Sequence, residues 1–259
     1  MMKKMEDLKK RIERNEVVLG TFMKITDPAA VEIAGLAGFK FLILDQEHGP
    51  VSVESLQNLI RACQIVGVCP IVRVPRNEES DILRALDMGA VGIEVPQIRT
   101  SEDAVRVARA TRFHPQGERG ACRYVRAAGY SSVPKEDHFT KSNHRILTIG
   151  HIEGLEGIDN LEDICRSGGL DVVFIGPYDL SQSCGVPGKV DDARVVAHMR
   201  SAVEIARSHG VSVGTFVESV ESANRWKCLG VQFLAYGVDV GIFYDACRKI
   251  IEDFRKSWT

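Results

Sequence analysis

The chemistry this chain can do is concentrated in polar residues that interrupt or end apolar runs. Phe41-Leu42-Ile43-Leu44 leads directly into Asp45-Gln46-Glu47-His48 and a Gly49-Pro50 turn. An apolar run without alternation marks a strand buried on both faces. Its acids and histidine therefore stand where a buried strand opens into a loop. A solvated exit turn, with Asp45 capping the next helix, is the competing reading. The same kind of break recurs along the chain: Arg73 lies between Val72 and Val74, His151 and Glu153 lie in Ile149-Gly150-His151-Ile152-Glu153-Gly154, Asp179 lies in Gly176-Pro177-Tyr178-Asp179-Leu180-Ser181, and Glu218 follows Val217.

Each residue type restricts what it can be doing. A guanidinium between β-branched residues needs an anion, either a protein carboxylate or one from a substrate. A carboxylate inside an apolar strand needs a cation or a proton. His151 and Glu153 are two residues apart and share one side of an extended strand. Glu153 reads either as the partner of an arginine such as Arg73 or as a metal ligand together with Asp179. Two carboxylates from separate strand ends, with coordination positions left open, suit Mg²⁺ or Mn²⁺. Asp179 reads equally as the N-cap of the helix that follows Gly176-Pro177. Glu47, adjacent to His48, is expected to point away from it and to serve a structural role. Arg119, Arg123 and Arg126 form a basic cluster that reads either as an anion site or as a subunit contact. His114, His138, His144, His198 and His209 read as solvated.

The elements that must position these residues alternate. Strand-like runs at 17–23, 41–45, 69–74, 91–95, 146–153, 171–175, 212–217 and 232–236 are separated by helical patterns. A glycine stands before many of the strands, as at Gly38, Gly67, Gly89, Gly169, Gly210 and Gly230, the helix-stop signal repeating with the unit. Alternation implies parallel strands with right-handed crossovers. Eight units in this length predict a (β/α)₈ TIM barrel over 1–259 as one domain, with an N-terminal helix over 1–16, a long irregular segment over 113–144 acting as a lid or interface, and a C-terminal helix over 239–258. A doubly wound sheet would carry a G-x-G-x-x-G turn after the first strand, which Gly20-Thr21-Phe22-Met23 does not provide. In a barrel the active site lies at the C-terminal strand ends, where the polar residues named above converge.

Composition excludes several classes. With a net charge of −2, the chain has no basic field to favour nucleic acid. The sequence has no apolar run of membrane-spanning length, and residues 1–16 are charged, unlike a secretory signal. Seven cysteines, odd in number and without a C-x-x-C spacing, read as reduced thiols of a cytoplasmic protein.

These residues resemble a known family. Gly38-Phe39 followed by Asp45-Gln46-Glu47-His48, Val72-Arg73-Val74-Pro75, Leu86-Asp87-Met88-Gly89-Ala90, Pro115-Gln116-Gly117-Glu118-Arg119-Gly120, Ile152-Glu153 and Gly176-Pro177-Tyr178-Asp179-Leu180-Ser181 are similar, in order, to stretches of the HpcH/HpaI aldolases. These are metal-dependent class II pyruvate aldolases. The resemblance covers residues 17–245 and implies a phosphoenolpyruvate/pyruvate-type barrel holding Mg²⁺, Mn²⁺ or Co²⁺ on Glu153 and Asp179. It further implies that Arg73 binds a 2-oxo acid, that His48 is the base for the aldol hydroxyl, and that Asp87 pairs with that histidine. Asp87 falls at a helix end before the fourth strand, on the wrong face of the barrel, so such a pairing would involve a neighbouring subunit. The implied assembly is a homo-oligomer, trimer or hexamer, with the last helix on a neighbour. The chain departs from the family at His151 (often Gln), at Phe22 with Lys24 nearby, and at Tyr178 (often small). These residues, with Asp45 and Phe216, are expected to bind substrate and choose the aldehyde. A CoA-thioester lyase, a sugar-phosphate isomerase barrel and a non-catalytic oxo-acid-binding relative are the alternatives.

Overall fold

The computed structural model describes residue 5 and residues 7–258. The chain runs α1 (Leu8–Glu13), β1 (Val18–Met23), α2 (Pro28–Ala37), β2 (Phe41–Asp45), α3 (Val53–Val66), β3 (Cys69–Arg73), α4 (Glu79–Asp87), β4 (Gly92–Val95) and α5 (Ser101–Thr111). A 3₁₀ segment at Arg126–Ser131 precedes α6 (Lys135–Arg145), β5 (Leu147–Ile152), α7 (Leu155–Asp159), α8 (Leu161–Arg166), β6 (Val172–Ile175) and α9 (Pro177–Ser183). The remaining elements are α10 (Ala193–Ser208), β7 (Ser212–Val217), α11 (Val220–Cys228), β8 (Phe233–Val238) and α12 (Asp239–Lys256). The eight strands are parallel and close in sequence order, β8 pairing with β1. This is the expected (β/α)₈ barrel.

Alternation along each strand sorts the core into two layers. Phe41 and Ile43, Cys69 and Ile71, Leu147 and Ile149, and Val172 and Phe174 point into the barrel, where Phe233 stacks on Phe41 with ring centroids 3.8 Å apart. Their neighbours Leu42, Leu44, Val72, Ile93, Ile152 and Val173 point outward and pack under the helices. Gly20 makes room for this stack, because a Cβ there would collide with the Phe41 ring. Leu8 and Ile12 of α1 join the inner cluster, and Lys9 pairs with Asp171 at 2.8 Å. The helix expected over 1–16 is thus observed over Leu8–Glu13, residues 1–4 and 6 lying outside the described residues.

The register sets what lies above this core. Asp45 pairs with Arg73 across β2 and β3, Arg73 with Glu94 across β3 and β4, and His151 with Phe174 across β5 and β6. Continuing the inward alternation, the last inward position of β2, β3, β4 and β5 is polar (Asp45, Arg73, Glu94 and His151), forming a charged layer at the C-terminal end on that side, while Phe22 of β1 and Phe174 of β6 keep the inner position apolar.

The 113–144 segment departs from expectation in its second half, where α6 is helical. Its sequence, KEDHFTKSNHR, has no continuous apolar stripe, so periodicity does not reveal it. Glu136 and Asp137 in the first turn and His144 and Arg145 in the last complement the helix dipole. The Asn143 side chain accepts the Phe113 N–H at 2.7 Å and donates to its carbonyl at 2.9 Å, tying the two ends of the segment together. At the other end of the chain α12 packs on β1 and β8, yet none of its residues is buried.

Candidate active site

Asp45 is the fulcrum of the β2 exit. Its side chain is fully buried and takes Arg73 in a two-point bond, Nε at 2.9 Å and Nη2 at 2.7 Å. The same carboxylate accepts the backbone N–H groups of Glu47 and His48 at 3.1 and 3.2 Å, which turns the chain sharply after the strand. Burial opposes its ionisation, but the Arg73 guanidinium outweighs that and holds the carboxyl below its usual range. Asp45 was expected among the substrate-binding residues. In the structure its oxygens take Arg73 and two backbone N–H groups, and it is not among the residues that line the cavity.

The turn also corrects the expectation for Glu47. Strand alternation ends at Asp45, and the bend brings Glu47 back over the site. Its Oε2 lies 3.3 Å from Arg73 Nη1 and 3.8 Å from His48 Nε2. Burial pushes its carboxyl up to about 7 against the opposing Arg73 charge, and the Glu153 carboxylate adds to the rise. The His48 ring is more exposed than buried.

Arg73 is placed from two sides. Asp45 fixes its fork, and its guanidinium carbon sits 4.7 Å from the Phe22 ring centroid, a cation–π contact. Arg73, His48, His151, Phe22, Tyr178 and Asp179 converge on one cavity of about 380 Å³ at the C-terminal mouth, with Phe216 and Lys24 also on its wall.

Next to Arg73 across the β3–β4 pair, Glu94 was not anticipated. It is fully buried on β4, 3.0 Å from His151 Nδ1. The sequence signal was an acid inside Gly92-Ile93-Glu94-Val95. Burial would lower the His151 pKa, but the carboxylates of Glu94 and Glu153 outweigh it and raise it. Glu153 Oε1 is 3.7 Å from His151 Nδ1, and its Oε2 accepts the Gln97 N–H at 2.9 Å. Gln97 holds a left-handed φ of 59° to present that N–H. Gly176 closes the gap to β6, since a Cβ there would stand 2.7 Å from His151 Nε2 and 3.4 Å from Glu153 Cγ.

Gly176, not Asp179, occupies the N-cap of α9. Asp179 sits in the first turn of that helix, exposed to the cavity. Beside it the Tyr178 hydroxyl donates to Glu218 at 2.7 Å, and burial followed by the Glu218 contact pushes the phenol up to about 12. The Tyr178 ring meets Phe216 edge-on at 6.0 Å.

The donor set fits a hard divalent cation. Glu47 Oε2 and both oxygens of Glu94 are buried without a hydrogen bond of good geometry, as are both ring nitrogens of His151. No cluster of three or more metal-binding side chains is assembled among the described residues.

Asp87 does not reach His48 within the chain. It ends α4 and bonds Arg119 at 2.8 Å, away from the cavity lining. The basic cluster is likewise engaged internally: Arg126 donates to the Met88 carbonyl and to Gln64, and Arg123 to the Ser131 carbonyl. No helix among the described residues is long and apolar enough to cross a membrane.

Comparisons with known proteins agree with this fold. A family model described as HpcH/HpaI aldolase/citrate lyase matches residues 19–246. The 5-keto-4-deoxy-D-glucarate aldolase of Citrobacter koseri is 33% identical over 248 residues, 96% of both chains. Among solved structures, the citrate synthase SbnG is 32% identical with a TM-score of 0.88, covering 96% of this chain and 98% of that one. An HpcH/HpaI aldolase/citrate lyase family protein from Burkholderia cenocepacia is 30% identical with a TM-score of 0.91, over the same shares.

Proposed function

The chain belongs to the HpcH/HpaI aldolase/citrate lyase family, and on that premise we propose that it is a divalent-metal aldolase that reversibly cleaves a 4-hydroxy-2-oxo acid to pyruvate and an aldehyde. The observation that carries this reading is the convergence of Arg73, His48, His151 and Asp179 on one cavity, with Glu153 beside His151.

Glu153 and Asp179 are the residues to hold the ion, Mg²⁺, Mn²⁺ or Co²⁺. When bound, it supplies the positive charge that stabilises the enolate. Arg73, held rigid by Asp45 and Phe22, binds the oxo-acid carboxylate and adds its charge where the enolate develops. His48 removes the proton from the C4 hydroxyl, and the C3–C4 bond then breaks to release the aldehyde. His151, backed by Glu94, presents Nε2 beside Gly176 as a donor to the oxo acid. Phe22, Tyr178 and Phe216 shape the aldehyde side.

An exposed base needs a partner that removes it from water and fixes its tautomer. Asp87 of a neighbouring subunit is the group for that role, making the enzyme a homo-oligomer, trimer or hexamer. The apolar face of α12, with Trp258 just beyond its end, supports this assembly: Phe243, Tyr244, Ile250, Phe254 and Trp258 are each more than half exposed, and a contiguous exposed apolar surface marks an interaction site. We place the enzyme in the cytoplasm, as one domain over 1–259, with no nucleic-acid or membrane partner.

The test is incubation with pyruvate, Mn²⁺ and a panel of aldehydes, reading adduct formation by mass. Adducts that vanish with EDTA support the reading. Full activity in EDTA, together with inactivation by borohydride plus pyruvate, would transfer the chemistry to a Schiff base and overturn it.

A further inference from the structure

We propose that the chain carries a second binding site, at the N-terminal end of the strands, for a small organic oxyanion: a phosphate or carboxylate on an apolar body. The site is independent of the aldolase reading.

It is a cavity of about 450 Å³ between α4, the 3₁₀ segment and α6. Gly89, Ala90 and Val91 lead into β4 and Ile146 leads into β5, so the cavity lies at the opposite end of the barrel from the catalytic one. The two share no lining residue. Leu86, Ala90, Val91, Val133 and Ile146 give it an apolar floor on which the body of a small molecule can rest.

Around that floor stand Arg119, Arg126, Arg145 and Lys141, against one carboxylate in the lining, Asp137, which takes Lys141 at 2.7 Å. Among the described residues the three guanidiniums have a single carboxylate partner, Asp87, bonded to Arg119 at 2.8 Å. Arg126 donates to the Met88 carbonyl at 3.0 Å and to the Gln64 amide oxygen. Both acceptors are neutral and leave its charge uncancelled. Gly89 permits this reach, since a Cβ there would stand 2.8 Å from Arg126 Nη1. Arg145, exposed in the last turn of α6, has no side-chain partner among the described residues. In a chain of net charge −2, such a concentration of cations is local and attracts an anion.

Two atoms in the wall call for a ligand. Arg119 is 5% exposed and places Nη1 on Ser142 and Nη2 on Asp87, but its Nε is buried without an acceptor. His138, expected in solvent, is 8% exposed, and its Nε2 is buried without a partner. A buried polar atom left unpaired costs free energy. An oxyanion supplies the acceptors this wall lacks, and planar guanidiniums take phosphate or carboxylate in a two-point fork.

The experiment titrates phenyl phosphate and benzoate into the full chain by calorimetry, with Mg²⁺ and pyruvate present to occupy the catalytic cavity. One saturable site per chain is expected for at least one of the two probes. Arg126→Gln and Arg145→Gln should each weaken it about tenfold, the loss expected for one charge-assisted hydrogen bond. Arg200→Gln, which removes an exposed charge on α10, should leave it unchanged. Tighter binding of phenyl phosphate assigns a phosphate, and tighter binding of benzoate a carboxylate. Both support the proposal. No saturable binding of either probe, or binding that both arginine variants leave unchanged, overturns it. Aldol turnover is scored separately: a wild type without it overturns the aldolase reading and leaves this site to the titration.

Discussion

His151 Nδ1 stands 3.0 Å from Glu94 Oε1, and both side chains are buried in the charged layer beneath the cavity. A neutral amide at position 151 could donate to a substrate without any anion behind it. A histidine there, with Glu153 3.7 Å away, becomes part of a carboxylate–imidazole–carboxylate row. Two separate strands meet in this row: β4 supplies the acid and β5 the base.

This relationship predicts coupled stability. His151→Gln leaves Glu94 buried beside an amide, and Glu94→Gln removes the charge that His151 answers. Each single variant should lose stability, with partial recovery in the double variant. A coupling of about 1–3 kcal/mol is expected from urea unfolding of all four proteins. Additive losses would show that the contact carries no energy.

Much of the barrel was legible because its strands are unbroken apolar runs and its helices end at glycines. Arg73, His151, Glu153 and Asp179 were legible because each interrupts or ends such a run. Glu94 meets the same criterion, but β4 is four residues long, and a single acid in so short a run did not stand out. Glu47 was misread for a different reason. The extended geometry that makes neighbours point apart stops at Asp45, whose carboxylate accepts the next two backbone N–H groups and folds the chain over. The Asp87–Arg119 bond joins residues far apart in sequence, and neither local pattern nor spacing encodes it. Helix α6 was hidden because its stability lies in end charges and the Asn143–Phe113 hydrogen bonds rather than in an apolar stripe.

Asp45 predicts a pH signature of folding. Its carboxyl is held below the ordinary value of 3.8, so the stability it contributes is fully present above that value and is lost as the pH falls through the lower folded value. Asp45→Asn should be less stable than wild type by about 3 kcal/mol at pH 7, since it leaves Arg73 buried without its two-point partner. The gap should narrow below pH 3.8, as the wild-type carboxyl also becomes neutral. Urea titrations at neutral and acid pH measure it, and a gap independent of pH would contradict the ion-pair account.

Metal binding is predicted to depend on Glu153 and Asp179 rather than on Glu94, which lies behind His151. Titration of free Mn²⁺ by electron paramagnetic resonance should show each of Glu153→Gln and Asp179→Asn weakening affinity by at least about tenfold. Glu94→Gln should change affinity less, because Glu94 contacts His151 rather than the cavity. EDTA should abolish adduct formation in the wild type, and added Mn²⁺ should restore it. Equal affinities in wild type and both ligand variants would remove Glu153 and Asp179 from the metal site.

The last prediction concerns assembly. Within one chain Asp87 is bonded to Arg119 and lies away from the cavity that His48 lines. If Asp87 serves His48 of a neighbour, the variants His48→Asn and Asp87→Asn are each inactive alone for complementary reasons. Mixing them at equal amounts, after dissociation and reassembly, should place an intact His48 opposite an intact Asp87 in about a quarter of the sites of a closed ring. Activity should then recover to about that fraction of wild type. Reassembly itself requires the apolar face of α12, so Phe243→Glu with Phe254→Glu should shift the protein to monomer on size exclusion and prevent recovery in the mixture. A mixture that stays inactive while the oligomer forms would separate Asp87 from His48 and return it to the structural role that its bond to Arg119 already provides.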